Sequence, residues 1–126
     1  MTGADPSWLR LAAVAEIPPR GLVFTYRDGP FDSTGILVRT PDGARAWRNE
    51  CRHLAVRLDR DTPGDLFDRG GDFLVCQFHG ARYRPADGLC VAGPCVGSRL
   101  RELPVAVLDG EVWLRADRIR SSLFDA

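Results

Sequence analysis

The sequence predicts an all-β fold in which short antiparallel strands form a sandwich or barrel. Runs of β-branched and aromatic residues recur along the chain, Gly- and Pro-rich turns separate them, and long helical patterns are missing. The chain has 126 residues, of which 44% are hydrophobic, which is enough for one domain with its own core. We therefore expect a single domain over residues 1–126.

Three strands are predicted in the first half of the chain. Residues 22–26 are rich in β-forming side chains and end at a Gly-Pro turn at residues 27–30. Residues 35–39 and 44–48 flank the sequence Thr40-Pro-Asp-Gly43. A Pro-Asp-Gly sequence between two such runs indicates a hairpin, because glycine readily adopts the backbone conformation that the turn requires.

Four more strands are predicted in the second half, at residues 72–76, 81–84, 103–108 and 111–114. The last two are separated by Asp109-Gly110, which indicates another tight hairpin. Residues 59–71 are rich in Asp and Arg and are expected to form a solvated loop with at most one helical turn. In the tail, Ala116, Ile119, Leu123 and Phe124 have helix-like spacing, and we expect this face to pack on its own domain.

The composition excludes several classes of function. The 17 basic residues balance the 17 acidic ones, so electrostatics give no reason to expect nucleic-acid binding. All the basic residues are Arg, which excludes lysine chemistry. No apolar stretch approaches the ~18–20 residues of a membrane span, and the first residues do not resemble a secretion signal. These features predict a soluble, cytoplasmic protein that binds neither nucleic acid nor membrane.

The two histidines of the chain each follow a cysteine closely. Cys51-Arg-His53 is followed, after 22 residues, by Cys76-Gln-Phe-His79. Grouped Cys and His residues in a reducing compartment point first to metal binding. A single tetrahedral zinc ion could use two cysteines and two histidines. However, zinc-finger spacing pairs Cys with Cys and His with His, whereas each loop here offers one of each, which favours a centre with two metal atoms.

The order of these motifs is similar to that of a known family. Cys51-x-His53, then Cys76-x-x-His79-Gly-Ala-x-Tyr83, then Gly-Leu-Cys-Val-Ala-Gly-Pro at 88–94, resemble the Rieske 2Fe-2S family and most closely its Rieske-type ferredoxins. The resemblance implies a Rieske fold, which is an antiparallel β-sandwich base domain with a small inserted cluster-binding β subdomain. The subdomain is expected at about residues 50–95, and the base at residues 1–49 and 96–126.

The resemblance also implies the ligands of one Rieske-type 2Fe-2S cluster. Cys51 and Cys76 are expected to hold the inner iron, and His53 and His79 the outer iron near the surface. The ligand set of the family is then complete, so Cys90 and Cys95 are not expected to be ligands. They are interpreted as small buried side chains, with a disulfide or other redox activity as the alternative, although a reducing cytoplasm disfavours the disulfide.

Five further positions match the surroundings of the cluster in the family, namely Gly80, Ala81, Tyr83, Gly93 and Pro94. Gly80 is expected to let backbone pack close to the cluster. Tyr83 matches a tyrosine that bonds a ligand sulfur, and Gly93-Pro94 resembles the proline loop that covers the third side of the cluster. Val56 and Phe78 replace the disulfide cysteines of high-potential members, and Ala81 replaces their serine. Fewer hydrogen bonds to sulfur predict a potential in the lower half of the Rieske range of about −150 to +300 mV.

Residues that adjoin the ligands are expected to dock protein partners. Leu54, Phe78 and Pro94 are predicted to form an apolar collar around the histidines. The neighbouring Arg52, Arg82 and Arg84 carry charges that could steer an acidic partner.

The resemblance implies a Rieske-type ferredoxin that carries single electrons from a reductase to a terminal oxygenase or similar acceptor. Such a protein is an electron-transfer component rather than a catalyst, because both histidines are committed to iron and no general base remains. Two alternatives stay open. One is a small Rieske-like subunit of a nitrite reductase-type complex, and the other is a zinc-stabilised binding module that uses the same four residues.

Overall fold

The computed structural model describes residues 7–119 and contains ten strands in this range. In chain order these are β1 (Trp8–Ala13), β2 (Leu22–Asp28), β3 (Phe31–Thr40), β4 (Gly43–Arg48), β5 (Leu74–Val75), β6 (Arg82–Tyr83), β7 (Cys90–Ala92), β8 (Glu102–Leu103), β9 (Val105–Leu108) and β10 (Glu111–Arg115). Two short 3-10 helices, Val14–Glu16 and Ala116–Arg118, are the only helices among these residues. The predicted all-β class is confirmed.

The strands form three antiparallel sheets. Two larger sheets have the strand orders β1-β10-β9 and β2-β3-β4-β8, and a small sheet has the order β5-β6-β7. The predicted hairpins β3–β4 and β9–β10 are present, and the predicted strand β2 pairs with β3, while the sequence analysis missed β1 and β7. The predicted strand at 103–108 is interrupted at Pro104, because proline cannot donate a ladder hydrogen bond.

The four-stranded sheet β2-β3-β4-β8 has an apolar core on each of its two faces. Successive side chains of a strand point to opposite faces. Leu37 and Ala46 therefore pack with Val112 and Leu114 of β10 in one core. Ile36, Val38 and Trp47 point the other way, into a second core. That second core includes Cys51, Cys76 and Tyr83, so the segment with the Cys-His motifs packs directly on the rigid sheet.

The segment between β4 and β8 carries most of the irregular backbone. We call residues 49–98 the ligand-loop region. Its charged stretch, residues 59–71, was expected to be a solvated loop, and this expectation was partly wrong. Leu66, Phe67 and the carboxylate of Asp59 are buried, whereas residues 60–65 are exposed. The stretch forms turns and a single bridge between Phe67 and Leu74, and no helical turn.

The end of the described chain agrees in part with the expected helical face. Ala116 lies in a 3-10 turn rather than an α-helix, and Ile119 packs against the core between the two larger sheets. Leu123 and Phe124 lie outside the described residues. Within residues 7–119, no helix is long and apolar enough to cross a membrane.

Candidate metal centre

The two Cys-His motifs lie on two loops that meet at one end of the ligand-loop region. The first loop follows β4, and the N–H of Cys51 donates to the carbonyl of Val56 at 2.8 Å. The second follows β5, where the N–H of Cys76 donates to the carbonyl of Ala81 at 2.9 Å and the N–H of Gly80 donates back to the carbonyl of Cys76 at 2.8 Å. Each loop is therefore closed by its own backbone hydrogen bonds.

The four expected donors form one pair of sulfurs and one pair of nitrogens. Cys51 and Cys76 are buried, and the pKa of each thiol depends on the other, so the two side chains are neighbours. His53 and His79 are exposed, and their Nδ1 atoms are 2.9 Å apart. In the described part of the chain, no three Cys, His, Asp or Glu side chains converge on one metal position. This arrangement of inner sulfurs and outer nitrogens fits two metal atoms with different ligands.

Hydrogen bonds around Cys51 favour its thiolate. Burial by itself would raise the pKa of the Cys51 thiol. The Tyr83 hydroxyl and the backbone N–H groups of Leu54 and His53 outweigh burial and lower this pKa. The pKa of Cys76 is raised, because burial outweighs the N–H groups of His79 and Phe78. A metal-bound thiolate at either position would therefore receive hydrogen bonds from backbone that is already in place.

Tyr83 links three elements of the site. Its side chain is fully buried, and burial raises the pKa of its hydroxyl, which keeps it protonated. The N–H of Arg52 donates to the hydroxyl oxygen at 3.0 Å. The same oxygen lies 3.5 Å from the sulfur of Cys51 and 3.1 Å from that of Cys95. The tyrosine noted in the sequence thus stands beside an expected ligand sulfur.

The Gly93 turn packs tightly against the second ligand loop. A Cβ on Gly93 would lie 2.8 Å from Cα of Ala81, and the φ of Gly93 is +95°. Ala81 is itself buried, so a side chain at 93 would force the two loops apart. No protein atom of the described chain lies within 4 Å of a Cβ built on Gly80, so its expected role, to let backbone pack close to the cluster, stays a prediction. Its φ of +75°, which closes the turn after Cys76, is what favours glycine.

The apolar residues expected to dock partners are exposed, and one of them contacts a histidine. Leu54 and Phe78 are exposed, at 40% and 41%, and Pro94 is exposed as well. The ring of Phe78 lies 4.2 Å from that of His79. Arg60, which sequence reasoning missed, holds its guanidinium 4.8 Å from the centre of the Phe78 ring. We call Leu54, Phe78, Pro94 and Arg60, together with the two histidines, the histidine face.

Two of the three arginines expected to steer a partner are paired with carboxylates. Arg82 pairs with Asp68 at 2.8 Å, and Arg84 pairs with Asp87. The carboxylates cancel much of their charge at long range. The Nε atom of Arg52 is buried. Arg60 is exposed and stacks on Phe78 within the histidine face. The sequence did not predict this contact, because the two residues are 18 positions apart.

Polar side chains hold residues 59–71 against the two ligand loops. Asn49 donates to Asp59 at 2.8 Å and accepts from the N–H of Leu58 at 2.9 Å. Asp59 also accepts from Arg57 and from the N–H of Gly64, both at 2.8 Å. As a result, the pKa of Asp59 is lowered to about 2 even though burial opposes ionisation.

Gln77, next to Cys76, holds the same stretch from the other side. Its oxygen accepts from the N–H groups of Asp61 and Thr62, both at 2.8 Å. Its nitrogen donates to the carbonyls of Asp65, at 2.8 Å, and Thr62, at 3.3 Å. Sequence reasoning did not identify Asn49, Asp59 or Gln77, because nothing in their local pattern shows which backbone groups they reach.

Comparison with known proteins agrees with the family resemblance of the Cys-His motifs. A sequence model of the Rieske [2Fe-2S] domain matches residues 7–108. The ferredoxin CarAc of Metapseudomonas resinovorans is 25% identical over 111 residues, which cover 88% of this chain and 95% of that protein. The oxidoreductase NdmD of Pseudomonas putida is 26% identical over 113 residues, and the chain spans 18% of its length.

The fold is also similar to that of a solved ferredoxin. The ferredoxin of carbazole 1,9a-dioxygenase from Nocardioides aromaticivorans IC177 superposes with a TM-score of 0.60 at 26% identity. The match covers 86% of this chain and 96% of that one. The likeness therefore extends over almost the whole length of that ferredoxin.

Proposed function

The chain belongs to the Rieske [2Fe-2S] domain family, and on that premise we propose that it carries single electrons from a reductase to a terminal oxygenase. The similarity to CarAc and to the ferredoxin of carbazole 1,9a-dioxygenase, over nearly the full length of both, supports the role of a separate ferredoxin. When bound, a Rieske-type 2Fe-2S cluster supplies reversible one-electron chemistry.

We assign the four converging donors to this cluster. Cys51 and Cys76 would hold the inner iron from the buried side, and His53 and His79 the outer iron from the exposed side. The pairing of sulfur with sulfur and of nitrogen with nitrogen supports this assignment, since a Rieske centre needs two ligands of each kind on different metal atoms. Gly80, Ala81, Tyr83, Gly93 and Pro94 surround the donors in this proposal.

The protein surroundings set how readily the site accepts negative charge. Burial keeps water from the two sulfurs, while Tyr83 and the backbone N–H groups at Cys51 and Cys76 donate hydrogen bonds toward them. These donors stabilise the more negative, reduced state. Ala81 offers no hydroxyl where high-potential members have one, which supports a potential in the lower half of the Rieske range of about −150 to +300 mV.

The histidine face is the proposed docking surface for both redox partners. His53 and His79 are exposed there, so an electron would leave or enter at the surface. Leu54, Phe78 and Pro94 supply apolar contact, and Arg60 and Arg52 supply positive charge nearby. An acidic patch beside an apolar surface would complement this face, and charge of this kind acts mainly on association rate. We place the protein in the cytoplasm, since its four free cysteines suit a reducing compartment.

The observation that carries the proposal is the 2.9 Å approach of two exposed histidine nitrogens above two buried cysteines. Protein purified without air is expected to contain about two irons and two sulfides per chain and to take up one electron reversibly. A colourless protein with one zinc ion per chain would instead support the zinc-binding module.

A further inference from the structure

Two cysteines that are not assigned to the metal centre lie in contact beside it. Cys90 is in β7 and Cys95 is in the turn that follows, and their sulfur atoms are 3.3 Å apart. A disulfide has a sulfur–sulfur distance of about 2.05 Å, so the two atoms need to approach by about 1.2 Å. We propose that Cys90 and Cys95 form a reversible disulfide, and that this modification site is coupled to the metal centre through Tyr83.

The backbone already holds the two cysteines in a closed loop. The N–H of Cys90 donates to the carbonyl of Ser98 at 2.8 Å, and the N–H of Gly97 donates to the carbonyl of Cys90 at 3.0 Å. Ser98 also donates to the carbonyl of Cys95, through its N–H at 3.0 Å and through its hydroxyl at 2.7 Å. These bonds fix the turn with the two sulfurs already 3.3 Å apart.

The two thiols differ in access, which sets the order of the reaction. Cys90 is buried, at 1% exposure, whereas Cys95 is partly exposed. Burial, together with the neighbouring Cys95 thiol, raises the pKa of Cys90 to about 11. An oxidant from solvent therefore meets Cys95 first, and Cys90 reacts second. Modification of Cys95 removes its thiol. The pKa of Cys90 is then raised by burial but no longer by a neighbouring thiol.

A low-molecular-weight disulfide, such as oxidised glutathione, is the oxidant class that fits this order. The Cys95 thiolate attacks one sulfur of oxidised glutathione, a bond forms between them, and one glutathione leaves as a thiolate that takes up a proton. Cys90 then loses its proton and attacks the sulfur of Cys95, and the second glutathione leaves. Two protein thiols are oxidised to one disulfide, and oxidised glutathione is reduced to two thiols. Excess thiol reverses both steps.

The coupling runs through one hydroxyl group. The oxygen of Tyr83 lies 3.1 Å from the sulfur of Cys95 and 3.5 Å from that of Cys51. A thiolate is a better acceptor than a thiol, so the Tyr83 proton is directed to Cys51 while the Cys95 thiol donates to the tyrosine oxygen. A disulfide has no proton to donate. Its formation weakens Tyr83 as a donor to Cys51, which lowers the reduction potential of the centre.

The chemical part of the proposal can be tested on the full-length protein with oxidised glutathione. The wild-type protein is expected to lose the mass of two hydrogen atoms, retain no glutathione, and yield a disulfide-linked Cys90–Cys95 peptide. The Cys90→Ser variant is expected to stop at a glutathione adduct on Cys95, and Cys95→Ser to stay unmodified at Cys90. A wild-type protein that keeps the adduct, or whose Cys90 and Cys95 both remain open to alkylation, would overturn the proposal.

The coupling rests on the proposed electron-carrier function and is tested by redox titration of the same samples. The potential of the wild-type protein is expected to fall on oxidation and recover with excess thiol, whereas that of Cys95→Ser is expected not to respond to glutathione. A mapped disulfide with an unchanged potential would overturn the coupling. A mapped disulfide in protein that binds no iron would instead overturn the proposed function and leave the thiol pair in place.

Discussion

The two larger sheets and the ligand-loop region are stabilised by different kinds of interaction. In the sheets, β2 has seven residues and β3 has ten, and apolar side chains such as Leu37 and Leu114 fill the space between the layers. In the ligand-loop region, β5 and β6 have two residues each. Side chains such as Asp59, Gln77 and Tyr83 replace the missing ladders by bonding to backbone or sulfur.

This difference separates stability from function within one small chain. The stability that comes from buried apolar surface depends little on the exact contacts of any one side chain and is shared among many residues. The position of each ligand loop, in contrast, depends on a few polar groups that have specific partners. We therefore expect substitutions in the sheets to change the free energy of unfolding through lost burial. Substitutions in the ligand-loop region should act through single polar groups, on local order, on reduction potential or on the pH dependence of stability.

The largest effect is expected in the core between the sheets. Leu114→Ala removes a fully buried side chain and should lower the free energy of unfolding by about 3 kcal/mol, because a cavity adds to the lost burial. Chemical denaturation measures this change. Val107→Ala, at an exposed position of the neighbouring β9, is the control and should change it by less than about 0.5 kcal/mol. If the folded Leu114→Ala protein lost its iron, the sheet core would also control the metal centre, and the distinction between the two regions would fail.

A smaller effect is expected at Asp59, and it depends on pH. Because its pKa is lowered to about 2 in the folded protein, ionised Asp59 stabilises the fold by roughly 2 kcal/mol above pH 4. This contribution is lost as pH falls from about 4 through 2. The stability difference between wild type and Asp59→Asn should therefore shrink over the same range.

Denaturation of both proteins at several pH values gives that difference directly. Exposed Asp61→Asn is the matched control and should show little difference from wild type at any pH. A constant gap between wild type and Asp59→Asn from pH 7 down to 2 would contradict the role assigned to the carboxylate.

Substitution of Gln77 should act locally. Gln77→Ala removes the acceptor for the N–H groups of Asp61 and Thr62, at a cost of about 1–2 kcal/mol. Amide exchange at these two residues should accelerate about tenfold for each ~1.4 kcal/mol lost. Gln77→Glu keeps the acceptor oxygen and should preserve more of the protection. Equal exchange in all three proteins would show that this side chain does not hold the loop.

The effect expected at Tyr83 is of similar size and is the most specific to the metal centre. Tyr83→Phe removes a hydrogen bond toward Cys51 and should lower the reduction potential by about 60 mV, equivalent to ~1.4 kcal/mol for one electron. Redox titration measures this shift. The other tyrosine of the chain, Tyr26, accepts from Arg48 in the larger sheet, so Tyr26→Phe is the natural control. A similar shift in both variants would remove the distinction between the two regions.

The same difference explains what could be predicted from the sequence. The hairpins β3–β4 and β9–β10 were predicted because turn residues and β-forming residues are adjacent in the chain. β1 was missed because its partner is β10, about a hundred residues away. The donor residues were identifiable because ligand spacing is local and chemically specific.

The support around those donors could not be predicted in the same way. Asn49 reaches Asp59, Gln77 reaches Thr62, and Arg60 stacks on Phe78, and each contact joins residues whose local sequence looks like an ordinary polar loop. The sequence showed that Cys90 and Cys95 flank the Gly93-Pro94 loop, but only the fold of that turn shows that their sulfurs are in contact.

Pulsed electron paramagnetic resonance of the reduced protein tests the central claim most directly. If His53 and His79 both bind the outer iron, the cluster spin should couple to two imidazole nitrogens in wild-type protein, and replacement of either histidine should abolish that signal or the cluster itself. A reduced iron–sulfur signal with no imidazole nitrogen coupling would contradict the account.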